Sequence, residues 1–126
     1  ASQVLSVVPF QSGDGLFTGR IIEYLVGAAW TPSKLIICGL HTGNTGILGD
    51  DTISDKCYDI GHYAGEPTKV KVRGYNGAYM VAFENAVMDL DSEKAVPAKV
   101  FIQFKYDADK SLKASVQKTV LKKGKK

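Results

Sequence analysis

The chain has 126 residues, of which 44 % are hydrophobic and 23 % charged, and it carries a formal net charge of +3. That size accommodates one domain with a real core and little room for a second, and the composition excludes a disordered chain. The longest apolar stretches, around Ile21 to Trp30 and Leu35 to Leu40, are interrupted by Glu23, Gly27 and Pro32. Neither approaches the roughly twenty residues of a membrane span, so no transmembrane segment is expected. The start, Ala-Ser-Gln-Val, has no basic region followed by an apolar one, so no signal peptide is expected in the chain.

Period-two patterning runs through the sequence and predicts strands. Val4 to Phe10 and Leu16 to Val26 are the first two, with Ser12-Gly13-Asp14-Gly15 turning between them. Leu35 to Leu40 follows, then short strands near Thr52 to Ile53 and Cys57 to Ile60. Val70 and Val72 alternate with Lys69, Lys71 and Arg73, the mark of one buried and one wet face. Gly74-Tyr75-Asn76-Gly77 carries the Asn-Gly signal of a tight hairpin. Beyond it, Tyr79, Val81 and Phe83 alternate with Met80, Ala82 and Glu84. Val100, Ile102, Phe104 and Tyr106 share one face of the next strand, with Phe101, Gln103 and Lys105 on the other.

Asp109 to Leu121 is ambiguous. Leu112, Val116 and Val120 recur at helical spacing, and Leu112, Ala114 and Val116 alternate. Lysines near the C-terminus favour a helix through its dipole, but we read a final strand followed by a short basic tail. The expectation is therefore an all-β protein: a single-domain antiparallel β-sandwich or jelly roll of about eight strands over residues 1–121, with a basic tail at 122–126.

Charge is divided unevenly along this plan. Lys110 to Lys126 holds seven lysines and no acidic residue. Subtracting those seven positive charges from the net +3 leaves −4 on the other 109 residues. Asn44 to Glu66 holds Asp50, Asp51, Asp55, Asp59 and Glu66 against Lys56 alone. Phosphate attraction needs little more than a lysine cluster, and Lys69, Lys71 and Arg73 offer a second patch. Base recognition, however, wants aromatics interleaved with the basic residues, and the tail has none. The opposite signs point instead to a charge-complementary contact between neighbouring copies. Its candidate residues are Lys118, Lys122, Lys123, Lys125 and Lys126 on one side and Asp50, Asp51 and Asp55 on the other. The same lysines are the candidate contacts for nucleic acid.

No motif dictates a chemistry. Cys38 and Cys57 are nineteen residues apart, too few cysteines for a disulfide scaffold; two free thiols are expected first, a single disulfide second and a structural zinc site third. Cys57 with His62, four residues intervening, resembles the copper-binding loop of cupredoxins. The resemblance implies His41 as the second imidazole and Met80 or Met88 as the axial sulfur. Against it, no Met follows His62 in the loop, His41 lies only sixteen residues before Cys57, and more than sixty residues follow. A core cysteine and a turn histidine are the expectation. Cys57 with His62 or His41 and Asp59 supplies the residue types of a nucleophilic triad, but no nucleophile signature surrounds them. The acidic stretch lacks the alternating oxygens of a calcium loop, since Ile53 and Ser54 occupy ligand positions. Gly43 to Gly49 has no Lys-Ser/Thr after its glycines and does not match a phosphate loop. Trp30, near a strand end, reads as a core plug or interface anchor. No catalytic activity, metal or cofactor is expected.

Three classes remain: an enzyme, a lectin-like or other binding sandwich, and a structural protein. The last fits best, because a symmetric oligomer uses complementary patches on one subunit to bind the next. In size, absent leader, about eight strands over Val4 to Val120 and a charged terminus, the chain resembles the pentameric vertex (penton) proteins of icosahedral, membrane-containing bacteriophages of the tectivirus type. The resemblance implies a jelly-roll capsid subunit in a five-fold vertex, without catalysis, contacting other capsid proteins in the virion after synthesis in the host cytoplasm. The alternatives are a lectin-like sandwich, secreted or cytoplasmic, and a coat protein contacting nucleic acid through its lysine-rich C-terminus.

Overall fold

The computed structural model describes residues 2–26, 33–41, 54–75, 78–89, 94–106 and 112–120. They form eight strands: β1 (Ser2–Gln11), β2 (Phe17–Val26), β3 (Ser33–His41), β4 (Ser54–Tyr63), β5 (Thr68–Tyr75), β6 (Ala78–Asp89), β7 (Lys94–Tyr106) and β8 (Leu112–Val120). All pairings are antiparallel, in two four-stranded sheets ordered β1-β2-β3-β4 and β5-β6-β7-β8. We refer to them as sheet A and sheet B. The expected all-β, eight-stranded sandwich is the observed architecture.

The strand order corrects one part of the expectation. A jelly roll is two Greek keys, in which a long connection carries a strand past its neighbours. Here every hydrogen-bonded neighbour is also the neighbour in sequence, so each sheet is a meander. The ambiguous segment is a strand, β8, hydrogen-bonded antiparallel to β7 over the register Ala98–Val120 to Tyr106–Leu112. Cys57 to Ile60 lies within the single ten-residue β4; Thr52 and Ile53 lie outside the described residues. The Asn-Gly turn also lies outside them, but the strands on either side pair antiparallel up to Tyr75–Ala78, as a two-residue hairpin requires.

The inward positions are those the alternation marks. Phe17, Ile21, Leu35, Ile37 and Tyr63 from sheet A meet Val81, Phe83, Val100, Ile102 and Phe104 from sheet B, all at most 2 % exposed. At the pole that carries the β1–β2 turn the core is aromatic. Phe17 stacks on Tyr79 with centroids 4.7 Å apart and tilts against Phe104 at 5.0 Å, and Phe10 and Tyr58 flank them. Missing side chains make room for these rings. A Cβ on Gly19 would collide with the Cys38 carbonyl oxygen and the Phe10 ring; one on Gly39 would stand 2.8 Å from Phe17 and 3.0 Å from Phe104.

Two devices shape sheet A. Gly15, at φ +76°, closes the Ser12–Gly15 turn, where the Gly15 N–H donates to the Ser12 carbonyl at 3.0 Å. Gly61, at φ +105°, sits where the β3–β4 register slips between Leu35 and Ile36, a bulge that a left-handed residue favours. At the opposite pole Glu23, 7 % exposed, accepts hydrogen bonds from the Ser6 and Ser33 hydroxyls at 2.9 and 3.0 Å. Those two donors keep a buried carboxylate satisfied. The sheets are tied there by the Ala64 N–H donating to the Ala86 carbonyl at 2.8 Å.

Candidate functional site

Because strand side chains alternate, the residues not in the core line the outer faces. In sheet A the register sets Val7, Ile22 and Ile36 side by side across β1, β2 and β3, with Val4 beside Tyr24 in the neighbouring row. The next row is Pro9, Arg20, Cys38 and Cys57. This outer face is thus largely apolar at its β1 margin, where Val4, Leu5 and Val7 are 61, 46 and 53 % exposed. Contiguous apolar surface at a sheet margin marks an interaction site more often than scattered apolar residues do.

The four sheet margins differ in charge. β4 contains Asp55, Lys56, Asp59 and His62; β5 contains Lys69, Lys71 and Arg73; β8 contains Lys113 and Lys118. Charged residues on an edge strand deter pairing with another chain. β1, SQVLSVVPFQ, has none. Its only deterrents are Pro9, which lacks an N–H, and the register slip between Val4 and Ser6.

Cys38 and Cys57, directly opposite one another on β3 and β4, form a disulfide. The expectation of free thiols is corrected: antiparallel pairing brings residues nineteen apart into register. The disulfide also removes the thiolate that the copper and nucleophile readings of Cys57 need. Among the described residues no group of three or more His, Cys, Asp or Glu side chains is placed to hold a metal, and there is no helix long and apolar enough to cross a membrane.

Of the candidate charge contacts, the described residues include Lys118 and Asp55. Lys122, Lys123, Lys125, Lys126, Asp50 and Asp51 lie outside the described residues, and Asp55 is placed on β4, one residue after its start. The elements that lead to them are at opposite poles. β3 ends at His41 and β4 begins at Ser54 at the turn pole, whereas β8 ends at Val120, paired with Ala98, at the other. A ten-residue strand separates those poles by roughly 30 Å. Lys118 belongs to neither group. It projects inward from β8, its Nζ 4.9 Å from the Tyr63 ring centroid, a cation–π contact over the margin where Val116 and Val120 are 44 and 42 % exposed. Burial pushes the Tyr63 phenol up to about 12, and its hydroxyl has no hydrogen-bond partner among the described residues.

One polar cluster was not singled out from sequence. At the turn pole Asp14 accepts hydrogen bonds from the Ser12 hydroxyl at 2.5 Å, the Leu16 N–H at 2.9 Å and the Tyr79 hydroxyl at 2.7 Å. The Ser12 bond first, then those from Leu16 and Tyr79, lower its pKa to about 2. The His41 ring lies 5.3 Å from that of Tyr79; burial lowers its pKa, against an opposing pull from Asp14. The cluster pins the β1–β2 turn of sheet A to β6 of sheet B across 65 residues of sequence. Its only sequence signal is Ser12-x-Asp14, a local turn pattern that says nothing of Tyr79. His62 is exposed on β4, opposite Lys34, and Lys34 forms a 2.6 Å ion pair with Asp59.

Comparison with known protein families, with curated proteins and with solved structures finds no match to this chain. The functional reading therefore rests on the surfaces themselves.

Proposed function

We propose that the chain is a structural subunit, of the capsid type, that assembles into a symmetric oligomer through the margin of sheet A. One observation carries the reading: β1 is an edge strand without a charged residue, and it exposes Val4, Leu5 and Val7. The occupant of that margin is β1 of a second copy, laid antiparallel across a two-fold axis, the commonest closed symmetry. Antiparallel pairing inverts the second subunit. A capsid role, with other capsid proteins as further partners in the virion, is drawn from the sequence resemblance. The meander order departs from the jelly roll that resemblance implies, so surface chemistry supports the proposal and strand order does not.

The test is mass in solution, by sedimentation equilibrium at physiological salt. A dimer or an even-numbered assembly is expected, and Val4→Lys with Val7→Lys is expected to return it to monomer. A monomer at the highest attainable concentration, or an odd-numbered ring such as the five-fold state the resemblance implies, overturns the two-fold contact.

A further inference from the structure

Sheet B presents a different outer face. The register gives Arg73, Met80, Gln103 and Ser115 as one cross-strand row and Lys71, Ala82, Phe101 and Gln117 as the next. Ala78, Lys105 and Lys113 form a row on one side of these, and Glu84, Lys99 and Thr119 a row on the other. Lys69 joins the last through a 3.5 Å ion pair with Glu84. The face thus carries Lys69, Lys71, Arg73, Lys99, Lys105 and Lys113 against Glu84 alone. Among the described residues only Lys69 of these cations has an ion pair, and Lys71, Arg73, Lys99, Lys105 and Lys113 are exposed. Phe101 stands among them, half-buried, in a shallow depression with Met80, Gln103, Ser115 and Gln117.

We propose that this face binds single-stranded nucleic acid, with Phe101 as a stacking platform and the surrounding lysines and Arg73 as phosphate contacts. The inference does not rest on the assembly proposal, which uses the other sheet. Charge complementarity selects a polyanion: five unpaired cations on one sheet face hold a field that a phosphate backbone neutralises with release of its counterions. The aromatic selects the kind of polyanion. A π-face in a basic surface stacks an unpaired base whatever its identity, whereas a duplex keeps its bases stacked inside. The lysine tail, lacking aromatics, supplies only charge. Gln103, Ser115 and Gln117 add hydrogen-bonding groups around the ring, suited to base edges or sugar hydroxyls. Alternation along the strands leaves consecutive outward positions about 7 Å apart, so Lys99, Phe101 and Gln103 follow one another along a single line on β7.

Fluorescence anisotropy of the full chain with a labelled oligothymidine of about sixteen nucleotides, over a salt series, tests this. Binding at low salt is expected, with affinity falling linearly in the logarithm of salt. Lys71→Ala with Arg73→Ala should weaken it at least about tenfold and reduce the salt slope by about 1.4, since two phosphate contacts are lost. Phe101→Leu, which keeps apolar bulk, should weaken it about tenfold without changing the slope, and Phe101→Trp should retain it. Lys122, Lys123, Lys125 and Lys126 changed together to Ala should leave the Phe101 effect intact. The proposal is overturned by absence of binding at low salt, or by binding that survives the Lys71/Arg73 change and disappears with the tail lysines. A duplex or poly-glutamate bound as tightly, with no effect of Phe101→Leu, would also overturn it by showing a charge-only surface.

Discussion

The two sheets solve the same packing problem with opposite exteriors. Sheet A turns outward Val7, Ile22 and Ile36 in one row and closes its β3–β4 ladder with a disulfide. Sheet B turns outward lysines, Arg73 and Phe101, and holds no cysteine. Their inner faces are alike in being apolar and part aromatic, with Phe, Ile, Leu and Tyr in sheet A and Phe, Ile and Val in sheet B. The inner pattern determines that a sandwich forms, and the outer one determines what the sandwich can touch. A face that is apolar at an uncharged edge is suited to a copy of itself, and a face crowded with cations is not.

The contrast extends to how tightly each sheet is built, and the strongest way to break it is at the glycines. Gly19→Ala in sheet A sets a Cβ against backbone, the Cys38 carbonyl, as well as the Phe10 ring. It should cost about 4 kcal/mol in chemical denaturation. Gly74→Ala in sheet B meets no backbone, only the Tyr79 ring at 2.8 Å, so a smaller loss of about 2 kcal/mol is expected. Equal losses would erase the distinction. Next in size, reduction of Cys38–Cys57 reopens a loop closed across nineteen residues, worth about 3 kcal/mol. The melting temperature should fall by roughly 10 °C, and Cys38→Ala with Cys57→Ala should abolish the response to reductant.

At the surface, Val4→Lys with Val7→Lys should weaken self-association by about a hundredfold. Lys99→Ala with Lys105→Ala, on the other sheet, should leave it within twofold. A reversed result would exchange the roles assigned to the two faces. The smallest effect concerns the pin between the sheets. The Asp14 carboxyl lies at about 2, below its ordinary 3.8, so its contribution is fully present above about pH 4 and is lost as pH falls toward 2. Asp14→Asn should flatten that part of the acid-denaturation curve, and Tyr79→Phe should flatten it in part. An unchanged curve for both would mean that the contact does not tie the sheets.

How much of this was legible in sequence follows from which facts depend on register. Alternation at Val70 and Val72, at Tyr79 to Phe83 and at Val100 to Phe104 identified the buried positions, because a strand's period is local. The free-thiol expectation for Cys38 and Cys57 failed because their opposition is set by the register that runs unbroken from His41–Ser54 to Ile36–Asp59, which the cysteine spacing alone does not contain. The apolar row Val7–Ile22–Ile36 and the Phe101 surroundings were likewise invisible: each joins residues from three or more strands. That β1 is an edge at all depends on strand order, which a list of strands does not contain.

The meander order bears finally on how the chain reaches this state. Each strand finds its partner in the next one along, so no pairing waits for a distant part of the chain, and loop-closure entropy stays small at every step. Sandwiches with interleaved strands must bring remote segments together first and fold slowly for that reason. Here the halves before and after residues 64–67 contain complete ladders, and docking their aromatic faces is the one long-range event. Refolding faster than is usual for an all-β domain of this length is the expected kinetic signature, with formation of the Cys38–Cys57 bond confined to the first half.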